Sequence, residues 1–460
     1  MKPVDTTDFT ARRRVFRPGE DGYDDEIAGF QTGFAQRPEI VFAAADTDDV
    51  VAAVRYAAGA GLPVGVQATG HGLPDASRGG VLITTRRMDS VRIDAAARTA
   101  RIGAGTRWGQ VVAAAAEHGL APLNGSAPGV GAVSYTLGGG LGILAREFGY
   151  TADHVRSLDV VTADGQPRHV TAAGDPELFW GLLGGGANLG VVTALEVGLV
   201  PVTRLYGGAL TFDGREVDPA AVLRAYTAWT ATVPDEVTSS VAALVYPDLP
   251  QLPPHLRGRY LIAVRVAFTG TAEEGERLVA PLRAIGPAVS DELRELPYTE
   301  SHTIHSDPDF PHAYYGDNRM LAELDLPGFE RLLALTGPDA GHMHVVQLNH
   351  LGGALARPVG NTGTTGNAGN TGNAVPHRDA AWLVRVLSPL QGTDRAALRE
   401  FYARALEPLE PAALGRSLNF AFAGGDRPEG LYDEQTRKRL AGLKATYDPA
   451  NLFRRNYPVG

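Results

Sequence analysis

The sequence predicts an α+β protein of two or more domains. The chain has 460 residues, more than one ordinary hydrophobic core organises. Roughly the first 200 residues mix short apolar strand-like runs, helix signals and glycine clusters. From about Val202 the texture changes to long segments of period-two alternation with helices between them, which is the pattern of an antiparallel sheet with helices on one face.

Residues 1–37 are polar and irregular, a lead-in with a helical turn or two. Ile40, Val41, Phe42 and Ala43 read as a buried strand. Thr47, Asp48 and Asp49 offer an N-cap and an acidic first turn for a helix reaching about Gly59, which Gly61-Leu62-Pro63 stops. Residues 64–67 and 81–84 are the next strands, completing a β-α-β unit and a further strand. Residues 90–94 and 99–103 alternate around a turn and predict a hairpin. A helix over 108–118 ends at Gly119. Residues 124–142 read NGSAPGVGAVSYTLGGGLG, too small-residued for an ordinary helix or strand; they imply close backbone approach to something. Residues 155–164 and 168–171 pair as strands, a short helix starts at Asp175, and a second glycine cluster fills 184–190. Residues 191–199 form a strand that Pro201 closes.

In the second part, strands are predicted over 206–212, 237–246, 259–269 and 344–350, with helices over 219–232, 271–285 and 329–335. The tract 359–374, VGNTGTTGNAGNTGNA, cannot bury a core and reads as a surface loop. Residues 376–379 read as a turn and helix cap. A helix over 394–406, a strand over 416–422 and a charged helix over 434–446 precede the final YDPANLFRRN segment.

Composition narrows the function classes. Apolar residues at 44% exclude general disorder. Lys plus Arg total 42 against 52 Asp plus Glu, so no basic excess exists for nucleic acid or an anionic membrane. The absence of cysteine excludes disulfides, thiolate nucleophiles and Cys-held metal centres. The first residues, MKPVDTTDFT, have no apolar signal-peptide core, and no run is long and apolar enough to span a bilayer, so a cytoplasmic protein is expected.

The stretch 63–76, PVGVQATGHGLPDA, places His71 between Gly70 and Gly72 in a loop after a strand. So little side-chain bulk lets backbone approach a ligand, and backbone N–H groups so arranged suit phosphates. The cluster at 138–142 fails as a dinucleotide fingerprint, because no strand precedes it directly and no acidic residue follows at the required distance. His342, His344 and His350 have no fixed ligand spacing and no carboxylate pair, so no metal is expected. Tyr314 and Tyr315 fit a pocket lining or core packing equally well.

Four motifs in order, QATGHG, SAPGVGAVSYTLGGGLG, GGGANLGVVT and YDPANLFRRN, resemble the berberine-bridge-enzyme-like FAD-linked oxidases of the vanillyl-alcohol-oxidase superfamily, and the likeness covers nearly the whole chain. It implies a split PCMH-type FAD-binding domain, residues 1–200 and 425–460, with a substrate domain of antiparallel sheet plus helices inserted over 201–424. By resemblance, FAD would contact Gln67, Ala68, Thr69, Gly70, His71 and Gly72 in the first motif. Gly125, Ser126, Val130, Gly131, Tyr135, Gly139, Gly140 and Gly142 would serve it in and beside the second, and Gly190, Val191, Val192, Asn456 and Tyr457 in the others. The family attaches the flavin 8α-methyl to the histidine at the His71 place. Many members add a bond from a cysteine before a proline, but here Ala127 precedes Pro128, so any covalent flavin is singly linked. Val130 stands where a small aliphatic residue admits O₂.

The resemblance also implies hydride transfer from a small organic, secondary-metabolite-like substrate to flavin N5, with O₂ as acceptor giving H₂O₂, in a monomer or homodimer. Tyr135 would stabilise charge on the reduced flavin. Two usual tyrosine bases are absent: Leu141 and Ser417 hold their places. The strand 345–350 resembles the one facing the flavin, and period-two alternation puts Gln347 and Asn349 on one face, Leu348 and His350 on the other. Gln and Asn orient but are not bases; Tyr135 and His350 are the candidates to move a proton, with His350 expected to pack within the fold. The missing tyrosines leave a cyclase or isomerase without net redox chemistry, or a dehydrogenase with another acceptor, as alternatives.

Overall fold

The computed structural model describes residues 14–34, 36–73, 78–250, 252–254, 256–357, 372–390, 394–422, 427–455 and 457–459. Most of the Gly/Asn/Thr-rich tract and Asn456 lie outside them, so the surface loop expected there is untested. The tract's last residue, Ala374, is buried and donates its N–H to Leu183 O at 2.7 Å.

Strands β1 (Val15–Phe16), β2 (Ile40–Ala43), β3 (Val64–Gln67) and β4 (Val81–Thr84) form a four-stranded sheet in the order β1-β2-β4-β3. β4 runs parallel to both β2 and β3. The helix Thr47–Ala60 joins β2 to β3. Its cap is Asp46, one residue before the expected site: the carboxylate accepts the Asp49 N–H at 2.9 Å, while Gly61 ends the helix at φ 67. The His71 loop leaves the carboxyl end of β3, where open parallel sheets place ligands. Strands β5 (Val91–Asp94), β6 (Thr99–Gly103), β7 (Val155–Val161), β8 (Pro167–Thr171) and β9 (Val191–Gly198) make a second, antiparallel sheet ordered β5-β6-β9-β7-β8.

The third sheet has nine strands: β10 (Arg204–Asp213), β11 (Val237–Val245), β12 (Tyr260–Phe268), β13 (Ser290–Asp291), β14 (Arg294–Pro297), β15 (Tyr314–Leu321), β16 (Val345–His350), β17 (Trp382–Pro389) and β18 (Ala413–Gly415). Its order is β13-β10-β12-β11-β16-β17-β15-β18, with β14 also on β10. Helices Pro219–Thr230, Ala272–Arg283, Leu326–Thr336 and Arg395–Leu406 cover one face. There Val222, Tyr226, Leu282, Phe329 and Leu398 share a core with Ile262, Val264, Val241, Leu348 and Val384. Strand alternation therefore turns Arg265, Ser240, Gln347, Asn349 and Arg385 to the other face.

The helix Glu434–Tyr447 leads the chain back to the first two sheets. Asp448 accepts the N–H groups of Leu452 at 2.7 Å and Phe453 at 2.8 Å, and Lys444 Nζ lies 2.6 Å from it. That turn seats Phe453 in the core of the first sheet and Tyr457 in that of the second.

Several expectations need correction. The run 124–142 contains a short buried helix, Ala132–Leu137, because its apolar residues can bury all round once Gly131 and Gly138 flank them. The strand expected over 416–422 is instead the short β18 followed by a 3₁₀ turn, Leu418–Phe420. Side-chain pairing takes the ladder's place: Ser417 N–H donates to Asn318 Oδ1 at 2.7 Å, and Asn318 Nδ2 donates to Ser417 O at 3.2 Å. Residues 376–379 form a turn that caps no helix; β17 follows, and Arg378 pairs with Asp153 at 2.5 Å. β15 and β17 escaped the sequence pattern. In β15 nearly every residue is buried, so polar and apolar positions do not alternate.

Candidate active site

A cavity of about 950 Å³ opens where the His71 loop, the 125–142 run, residues 185–192 and Tyr457 meet the helix-free face of the nine-stranded sheet. That size lies at the upper end of the roughly 300–1,000 Å³ usual for small-molecule sites. Gln67, Ala68, Thr69, Gly70, His71, Gly72, Gly125, Ser126, Val130, Tyr135, Gly142, Gly190, Val191, Val192 and Tyr457 line it, as do Gln347 and Asn349 opposite. Gly131, Gly139 and Gly140 are not among the residues that line it.

The His71 ring stacks on Phe30 at 3.8 Å with planes 10° apart. Its Nδ1 is 2.8 Å from Thr69 Oγ1, and its carbonyl accepts the Tyr314 hydroxyl at 2.5 Å. Burial first, then the Arg107 charge, pushes its pKa down to about 4, so the imidazole is neutral at physiological pH. The irregular lead-in holds the loop: Phe30 N–H donates to Thr69 O and Gln31 N–H to Gly70 O, both at 2.9 Å. At Gly70, φ 71, a Cβ would lie 2.7 Å from Gly29 Cα, whereas at Gly72 it would meet nothing within 4 Å. The first glycine serves packing and the second keeps the cavity open.

Tyr135 also lines this wall, edge-on to Trp108 at 5.6 Å. Its buried hydroxyl has no hydrogen-bond partner among the described residues; the nearby Thr151 hydroxyl already donates to Leu123 O at 2.6 Å. Burial raises the phenol's pKa, so it stays protonated at neutral pH and is a donor. Much of the glycine run makes room for this ring: a Cβ at Gly125 would lie 3.1 Å from Tyr135 Cε2, and one at Gly140 2.8 Å from Cε1. Asn419 clamps the run from the other domain-scale sheet, accepting Gly140 N–H at 2.9 Å and donating to Tyr135 O at 3.0 Å.

The sheet wall is built from side chains. In register, Arg265 on β12 lies opposite Ser240 on β11, which lies opposite Asn349 on β16; Gln347 lies opposite Arg385 on β17. Ser240 Oγ, Gln347 Nε2, Asn349 Oδ1 and Arg385 Nε are buried without partners among the described residues. The Arg385 guanidinium carbon sits 4.2 Å over the Phe420 ring. His305 and Asp307 complete this wall, with Ser126 donating its hydroxyl to Asp307 from across the cavity. His305 is driven neutral by burial and by Arg265. Burial alone would raise the Asp307 carboxyl, but the Arg265 charge and the Ser126 hydrogen bond hold it below the ordinary carboxylate range.

Of the remaining sequence candidates, Leu141 lines the cavity, and Ser417 does not, being clasped by Asn318. His350 faces the helix-covered side, 2.9 Å from Arg146 and against Trp382. Tyr314 lines the cavity, and Tyr315 stacks on Tyr402 in the core. Arg265, Arg385, His305 and Asp307 went unnoticed in the sequence, and only the His305-Ser306-Asp307 cluster in a proline-bounded loop offered any local signal.

These residues fit an FAD. Backbone and small side chains line one wall, while Gln67 Oε1, Tyr135 Oη, Gln347 Nε2 and Asn349 Oδ1 stand buried and unpartnered where a polar ring edge would satisfy them. The comparisons agree. Residues 38–171 match the FAD binding domain family. The chain is 28% identical, over 98% of each chain, to (R)-6-hydroxynicotine oxidase of Paenarthrobacter nicotinovorans. The crystal structure of 6-hydroxy-D-nicotine oxidase from Arthrobacter nicotinovorans superposes with a TM-score of 0.82 at 26% identity, covering 98% of both chains. BBE-like 1 of Physcomitrella patens shares the fold, with a TM-score of 0.80 at 18% identity and 98% of both chains covered. Over nearly its whole length the chain is thus similar to FAD-linked oxidases, and it is an FAD-linked oxidoreductase.

Proposed function

We propose that this protein is an FAD-dependent oxidase that removes a hydride from a small organic substrate and passes the electrons to O₂. The observation that carries it is the single cavity joining the His71 loop to the Gln347–Asn349 strand face. FAD supplies the hydride acceptor and, on reoxidation by O₂, yields H₂O₂. The chain's residues do the rest. The loop 67–72 and the residues around Gly125, Gly190 and Tyr457 would hold the cofactor. Tyr135 would donate its phenolic proton to developing negative charge. Gln347 and Asn349 would orient the substrate. His305, its Nδ1 unpartnered and Asp307 near, would accept the proton, as a weak base because burial and Arg265 disfavour its charged form. Half-buried Val130 leaves a small apolar place for O₂.

A single covalent bond from His71 belongs to the same proposal: its imidazole is neutral, Thr69 Oγ1 can hold the proton at Nδ1, and Ala127 offers no second attachment. The test is the visible spectrum of purified protein before and after acid precipitation. Colour is expected to stay in the pellet and to move to the supernatant in His71→Ala; a colourless native protein overturns the reading. Anaerobic addition of substrate should bleach the flavin and air should restore it with peroxide. An unchanged spectrum through turnover would favour the cyclase or isomerase reading, which draws its support from Leu141 and the clasped Ser417.

A further inference from the structure

Arg265 on β12 and Arg385 on β17 reach the cavity from the same sheet face, with the two strands β11 and β16 between them. Both are half-buried. No described residue accepts a hydrogen bond from Arg385, whose guanidinium carbon lies 4.2 Å over the Phe420 ring. Among the described residues Arg265 makes a single hydrogen bond, to His305 O at 3.3 Å. Guanidinium groups present five donors each in a planar fork, and away from bulk water they are costly unless an anion meets them. Among the described residues one carboxylate acts on both, Asp307, which also accepts the Ser126 hydroxyl. His305 is neutral and adds no negative charge. The wall thus carries one positive charge more than it balances, beside the unpartnered amide of Gln347 and hydroxyl of Ser240.

We propose that the substrate carries a carboxylate, held against this wall by Arg385 and Arg265. This deepens the oxidase reading and rests on it for the substrate's second end, where oxidation occurs. Arg385, lying over the Phe420 ring, forks the carboxylate, Gln347 Nε2 and Ser240 Oγ donate beside it, and Arg265 balances the remaining charge. An amine cation would be repelled from the same place.

The experiment uses the holoenzyme near neutral pH with benzoate and its neutral analogue benzamide as probes, read by flavin difference absorbance and in parallel by calorimetry. Benzoate is expected to saturate the site at least about ten-fold more tightly than benzamide. Arg385→Met should weaken benzoate by about ten-fold or more while leaving benzamide unchanged, which also shows that the variant is folded. Arg385→Lys should recover part of the loss, and Arg265→Met should weaken benzoate less than Arg385→Met. Equal binding of the two probes overturns the proposal. So does an Arg385→Met variant with unchanged benzoate affinity and a lowered flavin midpoint potential, since the cations then serve the reduced flavin. A colourless protein would sink the oxidase reading alone, because calorimetry still reports whether benzoate is preferred.

Discussion

The two walls of the cavity are made differently. The His71 wall is main chain and small side chains, shaped by contiguous segments: Gly70 lies against Gly29, and the 125–142 run folds around the Tyr135 ring. The sheet wall is long polar side chains delivered by separate strands, with Arg265, Ser240, Asn349, Gln347 and Arg385 brought together only by register. The first wall suits a cofactor common to many proteins, since backbone reads shape and charge without regard to the neighbouring sequence. The second suits a particular substrate, since each side chain can change without disturbing the fold. The comparison teaches where specificity resides: in residues that no contiguous motif contains.

The comparison breaks hardest where the sheet wall is anchored. Asp317 is buried on β15 and pairs with Arg319 at 3.2 Å, Arg416 at 3.2 Å and Arg427 at 3.1 Å, so it ties β18 and the following turn to the sheet. Burial alone would raise its pKa, but Arg319, Arg427 and Arg416 outweigh that and hold it below the ordinary range. A carboxyl whose folded pKa is depressed contributes stability that is present above its unfolded value of about 3.9 and lost as pH falls through the folded value. Asp317→Asn leaves Arg416, itself buried, without its counter-charge. The expected cost is about 3–5 kcal/mol in chemical denaturation at neutral pH, with a shallower loss on acidification below about pH 3.9. A midpoint unchanged from wild type would mean that the three arginines are satisfied elsewhere.

The cofactor wall is tested by Gly140→Ala. Gly140 holds φ 79, and an added Cβ would lie 2.7 Å from Thr151 Cβ and 2.8 Å from Tyr135 Cε1. Left-handed strain and overpacking cost about 1–3 kcal/mol each. Gly140 does not line the cavity, so flavin content should fall only through the displaced Tyr135. Full stability with lost flavin would reverse that account and put Gly140 in direct contact with the cofactor.

The same division explains what the sequence made legible. The His71 loop, the glycine run and the YDP turn are local, and each has a composition that only a close backbone approach explains. Gln347 and Asn349 were legible because the sequence of β16, VVQLNH, alternates them with the apolar Val346 and Leu348. Arg385 and Arg265 were not, since an arginine between apolar neighbours on a strand reads as an ordinary solvent face until pairing shows what covers it. β15 hid for the opposite reason, being buried on both sides. Asn419 falls within the strand expected over 416–422; it is instead the clamp on Gly140, a role set by a contact 279 residues away in the chain.

Tyr135 stands between the walls and sharpens the comparison with the smallest effect. Its hydroxyl is buried and without a partner, so the apoprotein bears the desolvation of a polar group and gains no bond from it. Tyr135→Phe removes only that oxygen and keeps the packing on Trp108. Stability of the apoprotein should therefore stay level or rise by less than about 1–3 kcal/mol, the cost of an unsatisfied group. In the holoenzyme the sign should reverse if the hydroxyl donates to the bound flavin, with a loss of about 0.5–1.5 kcal/mol in cofactor-dependent stability and a lower kcat at unchanged KM. Thermal denaturation with and without FAD, followed by steady-state kinetics, measures both. A destabilised apoprotein would mean that Thr151 or another protein group already satisfies the phenol, and Tyr135 would then belong to the scaffold of the first wall and not to its chemistry.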